Sequence, residues 1–145
     1  MRPSRFLVFS AISLCAVAAM AAGALFSTIE RGSASGITKS TTLAIKSEDE
    51  WHRIWAQHVS VRAPMPSPPQ IDFSREMVIA VFAGERTTGG FTVEVTAIEH
   101  STGAIRVTYR ESGPPRDSLL TQAITQPYHI VTTPRLEKPV IFERQ

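Results

Sequence analysis

The chain has 145 residues, 43% of them hydrophobic, with 15 basic and 13 acidic side chains. This length suits one domain with one core, and a net charge of +2 with interspersed signs excludes the basic footprint of a nucleic-acid-binding protein. Without Arg2 and Arg5 the count is 13 basic and 13 acidic residues, so the rest of the chain is formally neutral.

An apolar run over residues 6–26 follows two arginines at the N-terminus. A basic start, an apolar middle and small residues at the end are typical of a secretory signal, and Ala19-Met20-Ala21 offers a cleavage site. The run is also close to the ~20 residues with which a helix spans a bilayer. Residues 1–26 are therefore predicted to be a cleaved signal peptide or a retained membrane anchor. We expect an exported protein, periplasmic or extracellular, that meets a membrane only through an uncleaved segment.

Cys15 is the only cysteine in the chain. Leu14 stands where a lipoprotein signal needs a small residue, and the apolar run continues beyond the cysteine, so lipidation is not expected. Cleavage after Ala21 would leave a chain without disulfides or thiol chemistry.

Residues 27–36 are mainly Ser, Gly and charged residues, which is typical of a flexible linker. The domain is predicted to occupy residues 37–145. Its first element is a short strand over 41–46, where branched and apolar residues dominate.

A capping box at Ser47-Glu48-Asp49-Glu50 predicts the start of a helix. The two tryptophans at positions 51 and 55 share one helical stripe, so we expect an amphipathic helix of about three turns that buries both. Four prolines within residues 63–69 end this helix and forbid a central strand.

The segment 77–83 is apolar throughout and is predicted to be a central strand covered on both faces. The next segment alternates, which predicts a strand with Phe91, Val93, Val95 and Ala97 facing the core. Further strands are predicted over 105–110, over 119–133 with an interruption at Pro127, and over 140–142.

Hairpin succession after one early helix predicts an α+β fold. We expect a single small domain with a mainly antiparallel β-sheet and the N-terminal amphipathic helix packed on one face. The alternative is an all-β sandwich with a peripheral helix.

The sequence offers no recognisable catalytic or metal site. The four histidines, at positions 52, 58, 100 and 129, have neither zinc-protease nor zinc-finger spacing, and a Gly-x-Ser-x-Gly nucleophile motif is absent. Each histidine is predicted to be structural or solvated. We expect a protein that is not an enzyme and uses no cofactor.

The segment 84–91, Gly-Glu-Arg-Thr-Thr-Gly-Gly-Phe, has two interpretations. It lacks the lysine and the following helix of a phosphate-binding loop. The first interpretation is a hairpin turn in which Gly89 and Gly90 supply positive φ. The second is a protruding recognition loop on a rigid β scaffold. The candidate partner-binding residues are Glu85, Arg86, Thr87, Thr88, Gly89 and Gly90.

Two segments resemble the C-terminal domain of the PrcB family. Residues 71–91 are similar to its pattern of Asp-Phe, an apolar strand, a glycine and a Thr-Gly-Gly-aromatic turn, and residues 121–131 to its segment ending Pro-(Tyr/Phe)-His. The strand and Glu-Trp helix start over 45–51 also fit. The resemblance covers about residues 40–143. It departs at 117–120, where many relatives have a cysteine and this chain has none.

The PrcB family is named for a lipoprotein subunit that accompanies a surface protease complex and supports its assembly. The resemblance therefore implies a non-enzymatic accessory or binding protein whose partner is an envelope protein such as a protease.

The turn over residues 86–91 is also similar to the Thr-Thr-Gly-aromatic loop of chagasin-type inhibitors of cysteine proteases, which insert such loops into an active cleft. This similarity gives the alternative function, a protease-inhibitor-like module that presents residues 84–91. A secondary candidate edge for the same contact consists of Pro127, Tyr128 and His129.

Overall fold

The structure is a computed structural model that describes residues 26–145, so the predicted signal or anchor segment lies outside the described residues apart from Phe26. Within this range no helix is long and apolar enough to cross a membrane. The elements are β1 (Ser27–Gly32), β2 (Thr41–Ile45), α1 (Glu48–His58), β3 (Glu76–Phe82), β4 (Thr92–His100), β5 (Ile105–Ser112), β6 (Tyr128–Pro134) and β7 (Val140–Arg144). The predicted α+β class is confirmed.

The strands form two sheets, with the orders β1-β6-β3-β2 and β4-β5-β7. All pairs of the first sheet are antiparallel, whereas in the second sheet β5 pairs with β4 antiparallel and with β7 parallel. Helix α1 packs on one face of the first sheet and the second sheet packs on the other face. The domain therefore has three layers, with the first sheet in the middle.

Strand β3 is the centre of this arrangement, as its continuous apolar sequence predicted. Its even-numbered residues 78, 80 and 82 lie in the core with α1, and its odd-numbered residues 77, 79 and 81 lie in the core with the second sheet. Neighbouring strands flank it on both sides.

Helix α1 begins as its capping box predicted, because the Ser47 hydroxyl accepts a hydrogen bond of 3.4 Å from the amide of Glu50. Trp51 and Trp55 are buried in the first core. Their indole N–H groups donate to the carbonyls of Pro69 at 2.9 Å and Pro66 at 2.8 Å. The proline segment thus supplies the hydrogen-bond acceptors for both buried indole N–H groups.

The predicted linker over 27–36 is wrong. Ser27–Gly32 is strand β1, which pairs with β6 from Ser27 opposite Thr132 to Gly32 opposite Tyr128. The sequence did not reveal this strand, because it is mostly polar, only Ile29 packs against the hydrophobic core, and its partner strand lies about a hundred residues away.

The expectation that Ala97 faces the core is also wrong. The register of β4 against β5 shifts between Val95 and Ala97, so Thr96 has no partner residue and the alternation changes phase. Val93 and Val95 are buried as predicted, and Ile98 takes the next buried position.

One or two strands were predicted over 119–133, but only the part after Pro127 is a strand, since β6 starts at Tyr128. Residues 113–127 are a loop in which the single bridge pairs Arg86 with Thr125. Leu119 and Ile124, whose apolar character favoured a strand, are exposed instead.

Replacing Trp55 by alanine should lower the free energy of unfolding by about 3–5 kcal/mol, since the truncation leaves a cavity and an unpaired Pro66 carbonyl. Urea unfolding followed by circular dichroism measures the loss. The matched control is His52→Ala on the exposed face of α1, which should cost about 0.5 kcal/mol or less. A loss under about 1 kcal/mol for Trp55→Ala would show that the helix does not close the first core.

Candidate functional site

The segment 84–91 carries the chain from one sheet to the other. Strand β3 ends at Phe82 in the first sheet, and β4 begins at Thr92 in the second. The hairpin-turn interpretation is therefore wrong, since β3 and β4 are not paired. Positive φ occurs at Gly84 (81°) and Gly90 (86°), and Gly89, which was expected to have it, does not.

This segment is bonded to a second loop. Arg86 and Thr125 exchange backbone hydrogen bonds of 2.7 and 2.9 Å, and the amide of Gly89 donates to the carbonyl of Thr121 at 2.9 Å. The Thr125 hydroxyl donates to the carbonyl of Thr88 at 2.8 Å. Residues 84–91 and 115–125 are called the paired loops below.

The six predicted binding residues lie together, but they differ in exposure. Glu85, Thr87 and Gly90 are exposed, whereas the other three are half-buried. Arg86 bonds Glu111 at 3.0 Å and lies 5.8 Å from the ring centre of Phe91, so its side chain is held within the domain. The surface that this loop offers consists of the side chains of Glu85 and Thr87 and the backbone around Gly90.

The second of the paired loops adds apolar side chains that the sequence analysis assigned to a strand. Leu119 is 103% exposed, Ile124 62% and Leu120 37%. Exposed apolar side chains on a loop can be buried against a protein partner. The sequence signal that indicates a loop here is Pro114-Pro115 followed by Asp117, since these residue types favour turns. In the structure Asp117 has a positive φ of 65°.

A groove of about 330 Å³ runs beside the paired loops, lined by Arg31, Gly32, Ser33, residues 89–93 and Thr125. Glycine is needed at two of these places by close packing. A Cβ atom at Gly32 would stand 2.8 Å from the Tyr128 hydroxyl oxygen, and one at Gly90 would stand 2.7 Å from Pro114. The glycines thus let the loops close on the sheet.

The prediction that Pro127, Tyr128 and His129 form a secondary binding edge is wrong. All three residues are buried, and β6 lies between β1 and β3. The carbonyl of Pro127 accepts from the amide of Ala83 at 2.9 Å. Their role is internal, since the strand that they begin holds the middle of the first sheet.

Residues 77–134 match the family model described as PrcB C-terminal. Over this range the chain is similar to the PrcB C-terminal family. The resemblance found in the sequence is confirmed, and the matched range runs from β3 to the end of β6 with both paired loops inside it. No significant match was found among curated proteins or among solved structures.

His129 joins the two sheets inside the PrcB segment. Its Nδ1 accepts a hydrogen bond of 2.8 Å from the backbone amide of Val95 in β4, and its Nε2 lies 2.8 Å from the Thr28 hydroxyl in β1. Because the amide can only donate, the ring is neutral with its proton on Nε2. Burial lowers the pKa of His129, with Arg31 adding to this shift and Glu94 opposing it.

A second buried histidine lies between α1 and the first sheet. His58 places Nε2 2.8 Å from the Glu30 carboxylate, which also accepts from Arg62 at 2.7 Å, and Arg62 donates to the Tyr128 hydroxyl at 3.0 Å. Burial lowers the pKa of His58 against the opposing effect of Glu30. Burial would raise the pKa of Glu30, but hydrogen bonds from Arg62 and His58 outweigh it and hold that pKa below its usual range.

This cluster contains the residue types of a serine nucleophile site, since Ser35 lies 2.8 Å from Nδ1 of His58. Nε2 donates to the Glu30 carboxylate, so Nδ1 accepts from the Ser35 hydroxyl, and Ser35 in turn accepts from the amide of Ile37 at 3.1 Å. Ser35 is only 1% exposed, which closes the arrangement to a substrate. The cluster ties β1 and the segment after it to α1.

Acidification below pH 7 should destabilise the domain, because both buried histidines have folded-state pKa values below the ordinary value of 6.5. As the pH falls below 6.5, the unfolded chain therefore binds more protons than the folded chain does, and the free energy of unfolding decreases. Glu30, with its lowered pKa, adds a further loss below its ordinary value of 4.5.

Urea unfolding at about pH 7.5 and pH 5.5, on either side of the histidine range, measures this effect. His129→Gln should be less stable than the wild type at the higher pH but lose less stability on acidification. An equal loss in both proteins would contradict the assignment of His129 as a neutral link between the sheets.

Proposed function

We propose that this chain is an exported, non-enzymatic accessory protein that binds an envelope protein partner through its paired loops. The observation that carries the proposal is the bonded pair of loops at one end of the domain, with Thr87, Leu119 and Ile124 exposed on it. The match of residues 77–134 to the PrcB C-terminal family model is consistent with an accessory subunit of a protease complex.

The topology supports such a role. The paired loops lie where β1 and β3 end and β6 begins, whereas the chain enters β1 at Ser27, opposite Thr132. Six residues of strand separate these ends by about 20 Å. A retained anchor before residue 26 would hold the domain by the end remote from the paired loops and leave them free to reach a partner.

The non-enzymatic part of the proposal is supported by the histidine cluster around His58, in which Ser35 and Glu30 are bonded to the ring but Ser35 is buried and closed to a substrate. Among the described residues, no group of three or more His, Cys, Asp or Glu side chains is placed to hold a metal ion.

A protease-inhibitor-like module is the second candidate. It is favoured by the full exposure of Leu119 in the loop that is bonded to the Thr87-Thr88-Gly89 turn. Such a side chain would lose contact with water on entering a protease cleft, which favours binding.

A pull-down from native envelope extract tests the proposal with the full tagged chain as bait. The double variant Thr87→Glu/Leu119→Glu places two carboxylates on the paired loops and should reduce capture of the partner at least about tenfold. The matched control is Thr102→Glu in the exposed β4–β5 turn, which lies at the other end of β4 and should leave capture unchanged.

Equal capture by the wild type and the double variant would contradict binding through the paired loops. If the captured partner is a protease, its turnover of a peptide substrate separates the two candidates. An accessory subunit leaves the activity unchanged or raises it, and an inhibitor lowers it in proportion to the amount of chain added.

A further inference from the structure

Strand β2 is an open edge of the first sheet. Its residues Thr41–Ile45 pair with β3 on one side, and the strand order ends with β2. Such an edge presents the N–H and C=O groups of alternate residues to whatever lies beside it. Within residues 26–145 no other strand pairs with this side of β2.

A groove of about 330 Å³ lies directly beside this edge, between β2 and α1. Leu43 of the strand, Ile54 of the helix and Ile37 supply apolar walls, and all three pack against the first core. The rest of the lining is polar and lies at the rim: Thr38, Lys39, Thr41 and Gln57.

A free strand edge beside an apolar groove that is walled by a helix is the geometry that recognises an extended peptide. Backbone pairing with the edge supplies affinity, and pockets for alternate side chains supply specificity. Thr41 and Leu43 are two apart and both line the groove, so a strand added beside β2 would direct every second side chain into it.

We propose that the groove between β2 and α1 binds an extended segment of a protein partner, which adds to the first sheet as a fifth strand. The segment has apolar residues at alternate positions. Lys39 is the only charged residue of the lining, so an acidic side chain or a terminal carboxylate suits the end of the segment near the start of β2.

The groove begins where the paired loops begin. The carbonyl of Thr38, in its lining, accepts a hydrogen bond of 2.9 Å from the amide of Glu85. Gly84 packs against the same segment, since a Cβ atom there would stand 2.7 Å from the amide nitrogen of Ser40. A partner seated on the paired loops can therefore continue along β2. The inference rests on the proposed function in one respect only, namely that the bound segment belongs to the partner of the paired loops.

The first part of the test selects ligands for the full chain, held in detergent micelles, from a displayed library of peptides of about ten residues. Each enriched peptide is then synthesised with N-methyl groups on one or the other set of alternate residues. A peptide that pairs with a strand edge uses the N–H groups of only one set. One N-methylated set should weaken binding at least about tenfold, and the other set should change it less than about twofold.

The second part locates the site on the protein. Ile54→Glu should weaken binding at least about tenfold, and its neighbour Arg53→Glu, which lies outside the groove, should change binding less than about twofold. The N-methylated peptides need no change to the protein, so the test stands even where Ile54→Glu does not fold. The paired-loop variant Thr87→Glu/Leu119→Glu should bind the peptides like the wild type, which separates this site from the proposed function.

Four results would overturn the proposal: no enriched peptide, equal effects of the two N-methylated sets, binding that a folded Ile54→Glu variant retains, or a chain dimer formed through this edge. The last would make a second copy of the chain the occupant of the groove. Dimers that form with increasing concentration and are lost in the folded Ile54→Glu variant identify that case.

Discussion

Strand β3 is apolar on both faces, and the rest of the domain depends on covering both of them. Fully burying an aliphatic or aromatic side chain contributes about 1.5–3 kcal/mol, so neither face can be left to water. Helix α1 with its two tryptophans covers one face, and strands β4 and β5 cover the other. Because the covering strands follow β3 directly in sequence, the chain must leave the first sheet after Phe82 and cross to the second. That crossing is the segment 84–91, so the position of the candidate binding loop follows from the core.

One buried histidine ties the layers together on each side of the middle sheet. His58 connects α1 to Glu30 of β1, and His129 connects β6 to the backbone of β4. Burial favours the neutral state of both rings; the Val95 amide favours it further at His129, whereas Glu30 opposes it at His58. The β4 link is made at Val95, beside the register shift that changes which side chains of β4 face inward. Both histidines are therefore structural, as the sequence analysis predicted, although their partners could not be predicted.

Local signals in the sequence predicted the elements that local interactions define. The cap at Ser47 and the spacing of the tryptophans define α1, and the apolar run defines β3. Strand β1 was missed because its residues are polar and its partner strand is distant in sequence. The second sheet was not predicted, because strands that follow one another in sequence were expected to pair as hairpins in one sheet. In the structure β3 pairs with β2 and β6, and β4 lies in the other sheet.

The sequence predicted only one of the two paired loops, again because only local signals can be read from it. The Thr-Thr-Gly-Gly composition identified the loop 84–91, but the hydrogen bonds that hold it come from residues 121–125. The apolar residues of that second loop were assigned to a strand, because composition alone cannot distinguish an exposed apolar residue in a loop from one in a strand. The matched PrcB C-terminal range includes both loops.

Binding of a partner through the paired loops requires that the two loops form one fixed surface. Hydrogen exchange of the backbone amides of Arg86, Gly89 and Thr125 in the full chain, measured by NMR, tests this directly, with the exposed turn residue Thr102 as internal reference. The hydrogen bonds between the loops predict exchange at least about a hundredfold slower than in an unstructured peptide for the three amides, and no such protection for Thr102. Exchange of all four amides at similar, unprotected rates would contradict a preformed binding surface.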